Sequence, residues 1–306
     1  MNWKNLLTSP PPTTAWVLDH RLAVVLRRGS GDELVAAAAE LPAAVLEPGL
    51  IGLQSVDAER LAPVLSSLRE RVAGAKRVAV VLPTGWLRCH LLEFDHLPRR
   101  AAEVADVVRW RLKKLLPVNP AELRLSVLPM PLGGERRSVV TLAGLERALA
   151  GLERAFAVAG MEPGYLGPCV LATRDHVDGA TAPRLVVQHE ERFVALLLTV
   201  DGRPKLLRTK PLAVAGDDEM GVLEREMNLA GHFIRDRLSV TGEMTVEVLS
   251  TDREVAAGLE GWWRRQPGVV TRPALSMPAV NPLGVVEAVG AARLEPAWRL
   301  LRGGVA

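Results

Sequence analysis

The chain has 306 residues and a mass of 33.1 kDa, about twice the size of a typical domain, which predicts two lobes with separate cores. Hydrophobic residues make up 48% and charged residues 24%, a balance typical of a folded globular protein and too apolar for intrinsic disorder. The 38 Lys and Arg residues only slightly outnumber the 35 Asp and Glu residues, so we expect no nucleic-acid partner.

The cysteine content and the hydropathy pattern predict a cytoplasmic protein. Cys89 and Cys169 are too few for a disulfide framework, and no Cys/His cluster has the spacing of a zinc site, so we expect no metal. No stretch reaches the roughly 20 apolar residues that a membrane-spanning helix needs. The first residues also lack the apolar core of a signal peptide.

The first half of the chain opens with a predicted hairpin, whose strands Thr14–Leu18 and Leu22–Leu26 are joined at Asp19-His20-Arg21. The elements predicted after it are strand Val45–Leu53, a helix from about Ser55 to Val72, strand Arg77–Leu82 and a helix from about Ala143 to Ala159.

An insertion is predicted at about residues 84–137, between that last strand and helix. Its elements are an extended segment Trp86–Phe94, a helix from about Arg99 to Leu116 and a strand Leu123–Leu128, and a further strand Ser138–Leu142 follows it. Pro117 ends the helix because proline has no N–H to donate and its ring clashes with the preceding turn.

The second half of the chain repeats the order of the first. Its elements are strands Arg184–Gln188, Phe193–Val200 and Pro204–Lys210, a helix Asp217–Leu238, strand Met244–Leu249 and a helix Asp252–Arg265. Two βββαβα units predict an α/β protein of the actin-like (ribonuclease H-like) class. We expect residues 1–180 to form the first lobe, with the insertion, and residues 181–306 the second.

The stretch from Arg77 to Val118 resembles PilM, the actin-like cytoplasmic protein of type IV pilus assembly. The motifs that carry the resemblance are Leu82-Pro83, Phe94 with Pro98, Val108-Arg109-Trp110 and Leu116-Pro117-Val118. A second segment, Ala155 to Val177, resembles the "AGLxPxxxDxxxFAxxRa" segment of the same family. The cytoplasmic part of the type II secretion protein GspL is a related fold, but GspL carries a spanning helix and this sequence does not.

The resemblance implies a binding role. In PilM-like proteins the insertion and the neighbouring core form a groove for the N-terminal cytoplasmic peptide of PilN, a single-span inner-membrane protein. This predicts a cytoplasmic scaffold, peripheral to the inner membrane through its partner, that also meets other platform or motor proteins of the machine. The residues expected to bind the partner peptide are Leu92, Phe94, Leu97, Arg99, Arg109 and Trp110.

The family fold also implies a place for Mg-ATP between the lobes, where phosphates need glycine-rich hairpins and a carboxylate must order the metal shell. The positions expected there are Asp19, His20, Gln188, His189, Glu190, Ser250 and Thr251. They lack the glycines, and Glu190 and Glu191 would repel phosphate. The sequence therefore predicts a vestigial nucleotide site, no cofactor and no catalytic residue; the alternative is an ATP-binding protein or ATPase of the same machinery.

The predicted helix from Arg99 to Leu116 is strongly basic. It carries six Arg and Lys residues and two acidic residues between Arg99 and Lys114. Such a concentration of charge attracts an acidic partner segment or an anionic membrane face, although a solvated helix face is the simpler interpretation. Helical spacing places Trp110 off the apolar stripe, either under the strands of the insertion or exposed to a partner.

Overall fold

The computed structural model describes residues 12–29, 33–130, 137–172, 182–190, 193–212, 219–238, 240, 242–272, 280–281 and 291–301. The strands in chain order are β1 (Thr14–Leu18), β2 (Leu22–Arg28), β3 (Leu34–Glu40), β4 (Leu46–Gly49), β5 (Gly52–Val56), β6 (Arg77–Leu82), β7 (Arg88–Phe94), β8 (Leu123–Met130), β9 (Arg137–Leu145), β10 (Glu162–Pro168), β11 (Arg184–Glu190), β12 (Phe193–Val200), β13 (Arg203–Pro211), β14 (Met244–Ser250), β15 (Val269–Arg272) and β16 (Val280–Asn281). The helices are α1 (Ala58–Val72), α2 (Ala101–Leu112), α3 (Glu146–Val158), α4 (Cys169–Ala172), α5 (Glu219–Asp236), α6 (Arg253–Arg264) and α7 (Ala291–Leu301), with 3-10 turns at Thr84–Trp86 and Pro120–Glu122.

Two large mixed sheets share one strand order. The first runs β10-β6-β1-β2-β3-β16 and the second β13-β12-β11-β14-β15. In each sheet an antiparallel meander of three strands is followed by two parallel strands. The first of these pairs with the first strand of the meander, and the second pairs with the first. The shared order confirms the predicted α/β, duplicated βββαβα architecture.

Helices cover both faces of the first sheet because its central strands are apolar on both sides. All five residues of β1 are buried, and alternate side chains point to opposite faces. Trp16 points toward α1 and α3 and meets the ring of Phe156 edge-on, with 5.6 Å between ring centroids. Val17 points the other way and joins the apolar cluster that contains Trp298 of α7.

The third strand of the first sheet is β3. The prediction of this strand at Val45–Leu53 is therefore wrong. That stretch instead holds β4 and β5, a separate two-stranded hairpin. β3 has the sequence LVAAAAE, in which four alanines, the best helix formers, hide any two-residue alternation. Pairing with β2 makes this segment a strand, because it satisfies the backbone and buries Leu34, Ala36 and Ala37.

The predicted insertion contains a sheet of its own, with the order β7-β9-β8. Helix α2 packs along β8 and buries Val104, Val108 and Leu112. The strand β7 lies against β13, so this small sheet touches the second large sheet. The proposed limits of the insertion at about residues 84–137 stay a prediction, but the small sheet itself extends from Arg88 to Leu145.

Helices α5 and α6 cover the second sheet. Asp252 caps α6, because its carboxylate accepts hydrogen bonds from the N–H groups of Glu254 (2.8 Å) and Val255 (3.1 Å). Trp262 and Trp263 at the other end of α6 are buried and meet edge to face. This confirms the sequence interpretation that the two tryptophans pack a lobe.

The end of the described chain packs on the first sheet. Strand β16 pairs with β3, and α7 lies across β1, β2 and β6, with Leu294, Trp298 and Leu301 buried in the same cluster as Val17. The predicted second lobe, 181–306, includes these elements. The division near residue 180 stays a prediction. In the described parts of the chain, no helix is long and apolar enough to cross a membrane.

Candidate functional site

The carboxyl ends of the central strands β1 and β6 in the first sheet and β11 and β14 in the second meet at a narrow cleft, where most of the predicted nucleotide residues lie. A cavity of about 30 Å³ is lined there by Asp19, Gln188, His189, Glu190 and Thr251. Ser250 joins them through a hydrogen bond to His189, and His20 lies beside Asp19 in the β1–β2 turn, outside the cavity lining. The structure therefore brings six of the seven predicted residues together, while Glu191 lies outside the described residues.

The carboxylate of Asp19 accepts hydrogen bonds from the backbone of its own turn. Its Oδ1 accepts hydrogen bonds from the backbone N–H groups of Arg21 and Leu22, both at 2.7 Å. This is an Asx-type turn, in which a short carboxylate takes the place of a backbone acceptor. The two N–H groups that a phosphate would need at this hairpin are already satisfied.

Glu190 joins the two sides of the cleft. Its Oε1 accepts a hydrogen bond of 2.9 Å from the backbone N–H of Thr84, in the turn after β6. The hydroxyl oxygen of Thr84 accepts a further hydrogen bond of 3.1 Å from the N–H of Val170 at the start of α4. Thr84 is fully buried, so the cleft is held by hydrogen bonds shielded from water.

A glycine allows the turn after β6 to approach the second sheet. A Cβ atom on Gly85 would lie 2.2 Å from the ring of Phe193, the first residue of β12. Only glycine lets the backbone and the ring touch at this distance. The contact lies next to Glu190, which pairs with Phe193 between β11 and β12.

His189 is the centre of a second set of hydrogen bonds. Its Nδ1 lies 2.9 Å from the hydroxyl oxygen of Ser250, and its Nε2 lies 3.2 Å from a carboxylate oxygen of Glu219 on α5. The Ser250 oxygen also accepts the N–H of Asp252 at 3.0 Å. Ser250 can therefore donate to Nδ1 while the Nε2 proton is donated to Glu219, which fixes the ring of a residue only 3% exposed.

Gln188 is a further cleft residue with hydrogen-bonding capacity. Its Oε1 is buried, and no hydrogen-bond donor reaches it from the described residues. The cavity has room for on the order of one or two water molecules, which would satisfy such an acceptor. Among the described residues, no three His, Cys, Asp or Glu side chains are grouped to hold a metal ion.

A larger cavity lies between the small sheet and the first lobe. Its volume is about 310 Å³, and its walls come from β8, β9, α3 and β10. We call it the groove and define it by the apolar residues Leu87, Leu125, Leu142, Leu149, Pro163 and Leu166 with the polar residues Arg124, Ser126 and Glu153.

An ionic cluster stands at the polar side of the groove. Arg124 on β8 binds both oxygens of Glu146 at 2.6 and 2.8 Å and one oxygen of Glu153 at 2.5 Å. The hydrogen bond to Glu146 raises the pKa of Arg124, and the same bond lowers the pKa of Glu146. Two carboxylates against one guanidinium leave a net negative charge here.

The six residues predicted to bind a partner peptide lie elsewhere on the small sheet and α2. Leu92, Phe94 and Leu97 pack into the main core at or near β7, the edge strand opposite β8. The other three, Arg99, Arg109 and Trp110, lie at or near the surface on and before α2. None of the six lines the groove, and their role stays a prediction.

The sequence analysis did not identify the groove residues. Most of them are apolar side chains of strands and helices, and their pattern does not differ from that of core residues. One signal was present in β8, where Leu123, Leu125 and Val127 alternate with Arg124, Ser126 and Leu128. That alternation indicates a strand with two unlike faces. It does not reveal that this strand is an edge facing α3, since that depends on packing between distant parts of the chain.

Sequence comparison finds no relative: no family model matches the chain, and no curated protein matches it. Structural comparison finds proteins of similar fold. A chain of the PilM–PilN type IV pilus biogenesis complex superposes with a TM-score of 0.69 and 18% identity, covering 96% of this chain and 97% of that one. The segment 173–177, part of the second motif that resembles PilM, lies outside the described residues.

Two further solved structures share the fold at lower similarity. The cytoplasmic domain of EpsL, an inner-membrane component of the Vibrio cholerae type II secretion system, has a TM-score of 0.51 at 12% identity and 94% coverage of both chains. A Bacteroides thetaiotaomicron protein with an actin-like ATPase fold has a TM-score of 0.50 at 9% identity, covering 97% of this chain and 98% of that one. The chain therefore has an actin-like fold, which is similar over nearly its whole length to that of a chain of the PilM–PilN complex.

Proposed function

We propose that this protein is a non-catalytic scaffold of a type IV pilus or related secretion machine, and that it binds the N-terminal cytoplasmic segment of a PilN-like inner-membrane protein in the groove. The observation that carries the proposal is the groove itself, an apolar cavity beside a strand edge in a chain with the PilM fold. Such a protein would be cytoplasmic and held at the inner membrane by its partner.

The groove has the features that an extended peptide requires. Its volume of about 310 Å³ falls at the lower end of the range of roughly 300–1,000 Å³ that is typical of ligand pockets. Among the described strands, β8 pairs only with β9, so no second strand lies along its other edge. A peptide that adds to such an edge gains main-chain hydrogen bonds, and its alternate side chains enter apolar pockets.

The chemistry of the cleft supports a role without nucleotide. ATP requires a pocket of several hundred Å³, whereas the cleft cavity has about 30 Å³. The backbone N–H groups of Arg21, Leu22 and Thr84, which could bind phosphate, are bonded to Asp19 and Glu190. The two carboxylates would also repel phosphate in the absence of a metal.

The test is a titration of the full chain with a fluorescent synthetic peptide that carries the N-terminal cytoplasmic segment of the PilN-like protein from the same genome. We expect saturable binding that Leu125→Ser weakens at least tenfold, because Leu125 lines the groove. Leu128→Ser is the matched control: it lies on the same strand and contacts the same core, but it does not line the groove. Equal losses in both variants, or no binding by the unmodified chain, would refute the proposal.

A further inference from the structure

The C-terminal end of α2 presents an unusual combination of exposed residues. Trp110 is 58% exposed and Leu115 is 49% exposed, although both are large and apolar. Three exposed cations, Arg111, Lys113 and Lys114, surround them. We call these five residues the α2 surface.

The charges of the α2 surface are not balanced by nearby acids. The acidic residues of the helix lie toward its N-terminus and are paired there, Glu103 with Arg100 at 3.6 Å and Asp106 with Arg109 at 3.3 Å. No carboxylate of the described residues forms an ion pair with Arg111, Lys113 or Lys114. The surface therefore carries three positive charges without internal compensation.

Trp110 is held among these charges. The ammonium group of Lys114 lies 4.2 Å from the centre of the Trp110 ring, a cation–π contact between residues one helical turn apart. The indole of Trp110 therefore lies beside the charge of Lys114 while more than half of the residue stays exposed. Tryptophan in such a position, flanked by Lys and Arg, is typical of residues at the headgroup level of a bilayer.

We propose that the α2 surface binds an anionic lipid membrane directly. The three cations would attract lipid headgroups, while Trp110 and Leu115 would enter the boundary between headgroups and acyl chains. A membrane fits better than an acidic peptide because α2 residues line neither the groove nor the cleft, and an extended peptide needs a groove or a strand edge. Exposed aromatic and basic side chains grouped at one end of a helix are suited to a lipid surface.

This contact goes beyond the proposed function, in which the partner alone holds the protein at the membrane. Electrostatic attraction to the surface and capture of a peptide would act together, because binding at one site raises the local concentration at the other. The two sites use different residues. Leu125→Ser should therefore leave membrane binding unchanged, which separates this proposal from the one for the groove.

The test is flotation of the purified full chain with vesicles of equimolar phosphatidylcholine and phosphatidylglycerol, and with vesicles of phosphatidylcholine alone. We expect binding to the anionic vesicles only, and weaker binding as salt rises. The double variant Lys113→Glu with Lys114→Glu should weaken binding more than about 25-fold, since each surface cation contributes roughly a factor of five. Trp110→Ser should weaken binding several-fold and leave the salt dependence unchanged.

Matched controls lie on α5 and just beyond it. Arg235→Glu with Arg237→Glu changes the net charge by the same amount at exposed positions, and Phe233→Ser removes an exposed aromatic ring. Both controls should keep vesicle binding within about twofold of the unmodified chain. The proposal is overturned if the unmodified chain ignores anionic vesicles, if the charge control loses as much binding as the lysine variant, or if polyglutamate binds where vesicles do not.

Discussion

Glu190 stabilises the molecule at the point where its two halves meet. Its carboxylate accepts a hydrogen bond from the N–H of Thr84, a completely buried residue in the turn after β6. Removing the acceptor would leave that donor without a partner away from water, and a buried unsatisfied polar group costs about 1–3 kcal/mol.

We therefore expect Glu190→Ala to lower the free energy of unfolding by about 1–3 kcal/mol in urea titrations. Glu190→Gln should recover at least half of that loss, because its amide oxygen can still accept the hydrogen bond. If the glutamine variant is as unstable as the alanine variant, the negative charge rather than the hydrogen bond matters. If neither variant is destabilised, Glu190 does not hold the cleft.

Arg299 on α7 ties the tail of the chain to the second sheet through charge. It binds Glu247 on β14 and Glu295 one turn earlier on its own helix, and Glu247 also binds Arg184. Burial alone would raise the pKa of Glu247, but the charges of Arg299 and Arg184 outweigh it and hold the pKa below its ordinary value of 4.5.

A lowered pKa in the folded state makes stability depend on pH. The contribution of Glu247 is complete above pH 4.5 and is lost as the pH falls through the lower pKa of the folded state. We expect Glu247→Gln to cost about 3–5 kcal/mol at neutral pH and to flatten the loss of stability on acidification. Glu93→Gln, at an exposed site on β7, is the control. Its free energy of unfolding should fall on acidification as steeply as that of the unmodified chain. If the free energy of unfolding fell equally steeply with falling pH in Glu247→Gln and in the unmodified chain, this account would be contradicted.

At the scale of elements, the tryptophans of two helices have different roles: one packs in the core and the other lies at the surface. Trp298 of α7 is 3% exposed and fills the outer face of the first sheet, whereas Trp110 of α2 is 58% exposed. Trp298→Ala should cost about 3–5 kcal/mol of unfolding free energy, because it leaves a cavity in a packed core. Trp110→Ala should change it by no more than about 0.5 kcal/mol. Comparable losses would place Trp110 in the core.

The strands show which elements could be predicted from the sequence and which could not. Strands β1, β6, β11 and β12 were found because a sheet buried on both faces needs continuous apolar runs. Strands β3 and β10 were missed, since alanines in one and glycine and proline in the other favour different local structure. Contacts between distant segments determine their conformation, and these contacts also bring α7 back to the first sheet.

At the scale of the whole molecule, repetition was the decisive signal. The order βββαβα, read twice, predicts two sheets, and the resemblance to PilM implies a cleft between them. The structure brings Asp19, Glu190 and Thr251 together at such a cleft. The groove was not predicted residue by residue, because its walls come from β8, β9, α3 and β10, and their mutual packing leaves no pattern in any one of them.

The closed cleft leads to a prediction about nucleotide. Titration of the full chain with fluorescent ATP and Mg²⁺, followed together with the thermal unfolding temperature, should show neither binding nor stabilisation up to millimolar concentrations. The reason is the small cavity and the occupied backbone donors around it. Micromolar binding accompanied by a higher unfolding temperature would instead indicate that the lobes open and that the protein is controlled by nucleotide.

The measurement that tests the central claim most directly is hydrogen–deuterium exchange of the full chain with and without the PilN-like peptide. Binding in the groove predicts slower exchange in β8, α3 and β10, with the largest change along the outer edge of β8. The segment from Leu92 to Trp110 should exchange as before. Protection confined to that segment would contradict the account and move the peptide to Phe94, Arg109 and Trp110.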